Sequence, residues 1–334
     1  ARREFSPTDV MIGRYGPPVF QIFRGLSGSY NVALMKALPR REISNDYLYW
    51  LLKSPALQGY VIANSTRTGG QSGVNLRLLK SIQIPLPPLG EQKRIAAILD
   101  AADELQAKRR QTLIELDTLI QSTFLDLFGD PVTNPKGWEM TTLPKLSTKF
   151  CDGPFGSNLK SSHYTKTGVR VIRLLNIGAG TLINDDVAFV SEDHYNSLPR
   201  NHGKPGDILI GTMGDPNLRA CIIPEDLSDA LNKADCLLLR PELAIISRVF
   251  LCSLLNNEAL VTRALTLVRG QTRGRISLGR LKELPIPLPP LELQQQFAAI
   301  VEKIEAQKAR CQDQFDELDT LFASLQSRAF KGEL

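Results

Sequence analysis

Ile84-Pro-Leu-Pro-Pro-Leu89 and Ile286-Pro-Leu-Pro-Pro-Leu291 are the same six residues, the second 202 positions after the first. The same offset carries Leu76-Arg-Leu-Leu-Lys80 onto Leu278-Gly-Arg-Leu-Lys282, and Glu115-Leu-Asp-Thr-Leu119 onto Glu317-Leu-Asp-Thr-Leu321. Further upstream the offset slips slightly, as loops of unequal length require. There Asp9-Val-Met-Ile-Gly13 answers Asp207-Ile-Leu-Ile-Gly211, and Asn31 answers Asn232. Four matches in one order are a duplication, and a duplication governs how everything else is read.

Each copy ends in a long helical segment. Pro85-Leu-Pro-Pro88 cannot be helical and presets an extended entry. Beyond it, apolar or small residues fall at 95, 98, 102, 105, 116 and 119 in steps of three and four, interrupted at Arg109 and Thr112; Gly129-Asp-Pro131 is the stop. The second copy places Phe297, Ile300, Ile304, Cys311, Leu318, Leu321 and Leu325 at equivalent positions. This heptad spacing predicts two coiled-coil helices of roughly 38 residues, each about 57 Å long. They are expected to pack antiparallel over about 91–128 and 293–329, with Ile98, Leu105, Leu116, Phe297, Ile300 and Leu318 in the seam. A core helix of a bundle is the alternative for either one alone.

Between them, 130–285 reads as a mixed α/β module. Val169-Arg-Val-Ile-Arg-Leu-Leu-Asn-Ile177 reads as strand and turn, Asp207–Gly211 as a short buried strand, and Leu243 to Leu265 as helical. Residues 1–83 match only the back half of this module. With Asp9 answering Asp207 and no initiator Met, about 70 residues answering 130–200 are expected to be missing at the front. The expected class is α/β (α+β): two globular α/β domains, the first partial, separated by two long antiparallel helices. The boundaries are 1–83, 84–129, 130–285 and 286–334.

Composition narrows the function. Across 334 residues, 43% hydrophobic and 22% charged exclude global disorder, and no apolar run approaches the roughly 20 residues of a bilayer span. No membrane role is expected. Cys151, Cys221, Cys236, Cys252 and Cys311 are odd in number and contain no C-x-x-C pair, so a reduced, cytoplasmic setting is expected. The net charge of +5 leans weakly toward an acidic partner. Three histidines, His163, His194 and His202, leave little for metal or acid–base chemistry. No P-loop, amino-methyltransferase, G-x-S-x-G, H-E-x-x-H or zinc-deaminase pattern occurs. Cys151 beside Asp152 reads as a plain loop or buried cysteine rather than a nucleophile. No catalytic, cofactor or metal residue is assigned, and binding is favoured over catalysis.

Two loops at matching places suit nucleic acid: Arg67-Thr-Gly-Gly-Gln-Ser-Gly73 and Arg269-Gly-Gln-Thr-Arg-Gly-Arg275. Arginine forks match guanine O6/N7 or phosphate, Gln matches adenine, and glycine lets backbone approach closely. Lys160-Ser-Ser-His-Tyr-Thr-Lys166, followed by Arg170, Arg173 and Asn176, is a second polar and basic cluster. Solvated turns are the plain alternative for all three. The candidate DNA contacts are Arg67, Gln71, Lys160, Tyr164, Arg173, Asn176, Gln271, Thr272, Arg273 and Arg275. Of these, Lys160, Tyr164, Arg173, Arg273 and Arg275 are expected on one face of the second module.

Asp207-Ile-Leu-Ile-Gly211, Leu76 to Leu79, and Ile84-Pro-Leu-Pro-Pro-Leu-Gly-Glu-Gln92 with its long helix, all duplicated, resemble the specificity subunit of type I restriction–modification systems. The second copy has Leu291-Glu-Leu-Gln294, keeping the Gln and losing the Glu-Gln pair. The resemblance covers essentially the whole chain. It implies two target recognition domains reading the halves of a split double-stranded DNA sequence. It also implies two methylation subunits docked on the helices, and restriction subunits joining through that core. S-adenosylmethionine, ATP and Mg then belong to those partners, and none to this chain. Leu113, Ile120 and Phe124 on the first helix, with Phe315 and Phe322 on the second, fall off the predicted seam and are the candidate partner-docking residues. Packing beneath the recognition modules is their alternative. The rival functions are a structural adaptor that recruits proteins through its coiled coil, and a fused methyltransferase–specificity protein cut short.

Overall fold

In a computed structural model of the chain, residues 3–16, 18–68, 71–214, 216–266 and 274–334 are described, with backbone alone at 66–68, 71 and 72. Both proline stretches lead into long helices: a central helix, Leu89–Phe128, and a C-terminal helix, Leu291–Ala329. The duplicated glutamine explains the repeated motif. Gln92 is fully buried; its Oε1 accepts from the Ser44 amide at 2.9 Å, and its Nε2 donates to the carbonyls of Pro87 and Glu42. Gln294, also fully buried, accepts from the Ser247 amide at 2.8 Å and donates to the Pro289 carbonyl. Ser44 and Ser247 cap the helices Asn45–Lys53 and Arg248–Leu255. One buried amide thus ties a proline turn, a helix start and a helix cap together in each copy, satisfying polar groups that burial would otherwise penalise.

Two units result, Ala1–Ile114 with Ala309–Leu334, and Glu115–Lys308, each taking part of both long helices. In the first, Ile95, Ala96 and Leu99 cluster with Ala329, Phe322 and Leu325, and Gln106 Nε2 donates to Asp319 at 3.1 Å. In the second, Asp117 pairs with Lys308 at 2.6 Å, and Phe124 and Phe128 meet Phe297. Within each unit the later residue of the central helix faces the earlier residue of the C-terminal helix, so the helices run antiparallel as expected.

On the central helix the seam is one residue out of phase with the sequence reading at Leu99 and Gln106, whereas on the C-terminal helix Phe297, Ile304 and Cys311 are buried as expected. Phe297 is buried, and Ile98, Leu116 and Leu318 are half-buried, but Leu105, Leu119, Ile300 and Leu321 face solvent. The seam runs through Ile95, Leu99, Gln106, Phe124 and Phe128 on one helix and Phe297, Ile304, Lys308, Cys311 and Phe322 on the other. Buried Gln106, satisfied by Asp319, occupies the position that the apolar pattern gives to Leu105.

The second unit holds a four-stranded antiparallel sheet in the order Arg219–Ile222, Ile208–Gly211, Cys236–Pro241 and Ser147–Cys151. A five-stranded mixed sheet runs Tyr164–Thr165, Ala188–Val190, Val169–Ile172, Ala230–Asn232 and His202–Gly203, and the Val169–Ile172 and Ala230–Asn232 strands pair in parallel. The predicted strand at 207–211 is present. The one predicted from Val169 stops at Ile172, because Asn176 Oδ1 accepts from the Arg173 amide and closes a 3-10 turn over Leu174–Asn176. The helical stretch 243–265 is two helices, Arg248–Leu255 and Glu258–Leu265, with Asn257 capping the second.

The first unit repeats part of this plan. Its three-stranded sheet orders Ile22–Phe23, Met11–Gly13 and Leu34–Lys36. Asp9 accepts from the Ser6 amide and pairs with Lys36, as Asp207 accepts from the Lys204 amide and pairs with Arg240. The identical proline stretches differ, however. Pro285–Leu288 is a strand against Glu139–Thr142 and buries Ile286 completely. Residues 84–88 have no strand partner among the described residues, and Ile84, which answers Ile286, is only partly buried. Among the described residues, no helix is long and apolar enough to cross a membrane.

Candidate nucleic-acid interface

Four loops of the second unit converge on Arg275. Met213 and Arg275 form an antiparallel bridge, the Ile276 amide donates to the Thr212 carbonyl, and the Thr212 amide and hydroxyl donate to the Asp235 carbonyl. Asn217 Nδ2 donates to the Gly274 carbonyl at 2.7 Å. Gly153 completes the junction: a Cβ there would collide with the Lys233 carbonyl, so only glycine lets 152–155 and 233–235 approach this closely. The guanidinium of Arg275 pairs with Asp152, reaches Asp235 at 3.0 Å through Nε, and lies 4.8 Å over the Phe155 ring. Burial raises the Asp152 carboxyl above its ordinary pKa, and the Arg275 charge opposes that shift.

A second arginine fixes the loop that crosses Arg275. Arg219 donates from Nη1 to the carbonyls of Met213 and Pro216, from Nε to that of Ile177, and from Nη2 to that of Leu174. Four carbonyls on one planar fork hold 213–216 against 174–177. Sequence reasoning missed Arg219, Asp152, Asp235 and Lys233. For Arg219 no sequence signal exists, since its partners are backbone groups. The acidic pair could be found only by knowing that 152 and 235 meet.

The predicted contacts are distributed as follows. Lys160 is exposed, and Tyr164 is half-buried beneath the Lys233 ammonium, 5.4 Å from its ring. Tyr164 therefore lies near the Arg275 junction through the 233–235 loop. Arg173 is half-buried and engaged within the unit, pairing with both the carbonyl and the carboxylate of exposed Asp186. Asn176 is fully buried, and its amide donates to the carbonyls of Ile183 and Asp185. Its reading as a DNA contact is corrected: it holds a turn. Gln271, Thr272 and Arg273 lie outside the described residues, as do the side chains of Arg67 and Gln71. The backbone at 66–68 and 71–73 forms a two-stranded hairpin.

In the first unit the equivalent crossing is the bridge between Tyr15 and Gly73. A Cβ at Gly73 would lie 3.0 Å from the Tyr15 ring, and Arg14 stacks 4.9 Å over that ring. The same backbone crossing thus carries Tyr and Gly in one unit and Met and Arg in the other.

Of the expected docking residues, Phe124 is corrected to the core, while Leu113, Ile120, Phe315 and Phe322 are half-buried. Phe124 is buried among Phe128, Phe250 and Phe297, and Ile120 packs against the same core. Phe322 meets Trp50 at 5.5 Å, Phe315 lies under Arg110, and Leu113 is half-buried. Several apolar side chains expected in the seam face solvent instead, Leu105 and Leu321 in the first unit and Leu119 and Ile300 in the second, together with Ile114 and Leu125, which the seam never included. The second unit also carries an open groove of about 840 Å³ lined by Ile120, Ile222, Val249, Ala298 and Val301, with Lys308 at its edge.

Comparison with known proteins places this geometry. The family described as "Type I restriction modification DNA specificity domain" matches residues 22–116 and 205–314, the stretches that contain both buried glutamines. The chain belongs to this family. Among its relatives, the specificity subunit of type I restriction enzyme MjaVIII from Methanocaldococcus jannaschii is 27% identical over 319 residues, spanning 90% of this chain and 73% of that protein. The EcoBI specificity subunit of Escherichia coli is 24% identical over 352 residues, spanning 93% of this chain and 73% of its own length. The crystal structure of the type I S subunit from M. genitalium shares the fold, with a TM-score of 0.60 at 18% identity over 99% of this chain and 84% of that one. A chain from a structure addressing assembly and conformational transition of the type I R-M system gives a TM-score of 0.60 at 19% identity, over all of this chain and 85% of that one.

Proposed function

We propose that this chain is a non-catalytic, sequence-reading DNA-binding subunit. It recognises a split duplex target, one half through each unit, and docks two methylation subunits, through which restriction subunits join. The observation that carries the reading is the duplicated loop crossing with different side chains, Tyr15 and Gly73 against Met213 and Arg275. One backbone plan with two sets of side chains suits two different half-sites. Membership of the specificity-domain family supports DNA recognition. Lys233 and Tyr164 supply positive charge and an aromatic surface at the 233–235 loop of the Arg275 junction, and Lys160 is exposed in the same unit. For docking, the solvent-facing Leu105, Leu119, Ile300 and Leu321 offer apolar side chains on both helices. S-adenosylmethionine, ATP and Mg chemistry belong on this reading to the partners.

The test is duplex binding by the full chain across a salt series. Each phosphate contact releases condensed counterions and steepens the fall of log affinity with log salt, by about 0.9 per contact for duplex DNA. A steep slope together with preference for one duplex sequence is the expected result. A salt-independent chain that captures only proteins would be an adaptor, and this reading would fail.

A further inference from the structure

Arg275 is set apart from the neighbouring arginines by what surrounds it. Arg219 spends its donors on four backbone carbonyls. Arg240 closes a two-pronged pair with Asp207, which is almost wholly buried. Arg275 instead stands between two carboxylates, Asp152 on Nη2 and Asp235 on Nε, with the Phe155 ring against its face and its side chain 28% exposed. Among the described residues nothing engages Nη1.

We propose that Arg275 reads a guanine in the half-site of the second unit, with Asp152, Asp235 and Phe155 as its positioning residues. This rests on the DNA-reading function proposed above. The two carboxylates already compensate the guanidinium charge, which favours a neutral base edge over a phosphate as the partner of Arg275 itself. A base edge is neutral. The guanine edge presents O6 and N7 as two adjacent acceptors for the free Nη1. Asp152 bonds Nη2, Asp235 lies 3.0 Å from Nε as an ion pair without a hydrogen bond, and the ring holds the plane, so the Nη1 end is presented with less loss of rotamer freedom. A surplus carboxylate also suits a G·C pair, whose cytosine amino group is a donor. The first unit has Gly73 at this place, so the contact belongs to one half-site only.

The experiment is selection of a randomised duplex library by the full chain, followed by sequencing, for wild type, Arg275→Ala, Arg275→Lys and Asp235→Asn. Wild type is expected to require guanine at one position of one half-site. Arg275→Ala and Arg275→Lys are expected to relax that position alone, by roughly 5- to 150-fold, and to leave the salt slope unchanged. Arg275→Lys keeps a cation for Asp152 and Asp235, so it tests the fork even where the alanine variant fails to fold. Asp235→Asn should weaken discrimination at the same position while other positions hold. An unchanged motif in Arg275→Lys overturns the proposal. So does a uniform loss over all sequences with a salt slope lower by about one, the signature of a phosphate contact. A wild-type chain that selects no sequence at all refutes the DNA-reading function itself, and the two failures are thereby told apart.

Discussion

Replacing Phe124 by Ala separates the two roles this residue could have. As a docking side chain it would be dispensable for folding; as the structure places it, it is central to the second unit. Phe124 is 2% exposed and meets three other rings: Phe250 stacked at 5.7 Å, Phe297 edge-on at 5.7 Å and Phe128 tilted at 5.1 Å. Truncating a fully buried phenylalanine costs about 3–5 kcal/mol, because the cavity left behind relaxes only in part. The three lost ring contacts favour the upper half of that range. Since about 1.4 kcal/mol is a factor of ten in an equilibrium constant, amide exchange through opening of the second unit should accelerate by roughly two to four powers of ten. The assay is hydrogen exchange read by mass spectrometry over Ile208–Gly211, Cys236–Pro241 and Arg248–Leu255, which surround that core. Leu119→Ala, at a 49% exposed position of the same helix, is the control and should stay within about 0.5 kcal/mol. Protection in Phe124→Ala equal to that of the control would refute the assignment of Phe124 to the core.

Gln294→Ala removes the acceptor of the Ser247 amide and the donor to Pro289, and should cost about 1–3 kcal/mol in a thermal melt; the equivalent Gln92→Ala should do the same, whereas exposed Gln295→Ala should do neither. The Lys36 ammonium and the Ser6 amide lower the Asp9 carboxyl from its ordinary 3.8 to about 2. Its pairing therefore stabilises the fold fully above about pH 4 and is lost as pH falls through 2. An NMR titration should show the low midpoint, and Lys36→Met should return it toward the ordinary range. Among the cysteines, Cys151 alone is partly exposed, while burial pushes the Cys221 thiol up to about 12. A thiol reagent should label Cys151 first in the native chain, and Cys221, Cys236, Cys252 and Cys311 only on unfolding.

The duplication, the long helices and the stop at Gly129 were all legible in the sequence, because each depends on local chemistry. Proline excludes helix, three-and-four spacing makes an apolar stripe, and Gly129 at φ +76 ends the helix as its position implies. The phase of the seam was legible on the C-terminal helix, where Phe297, Ile304 and Cys311 are buried, but not on the central helix. A register through Ile98 and a register through Leu99 both place apolar residues at workable spacing, and the choice was settled by Gln106 meeting Asp319 across the helix pair. That single shift exchanged the roles of Leu119 and Phe124. At the candidate site, Arg275 and Tyr164 were readable as residue types, but their partners Asp152, Asp235 and Lys233 come together only through the sheet. Asn176 misled for the opposite reason. Its side chain looks ready for a base, yet it is consumed by turn carbonyls that no residue-type reading reveals.

The most direct test of the central claim is exchange of one recognition module. Residues 130–285 would be replaced by the corresponding stretch of a family member that reads a different sequence. The DNA motif selected by the hybrid would then be compared with that of the original chain. Two units that each read one half predict a motif in which one half changes to that of the donor, while the other half is retained. A motif that changes in both halves, or one that does not change at all, would contradict the account.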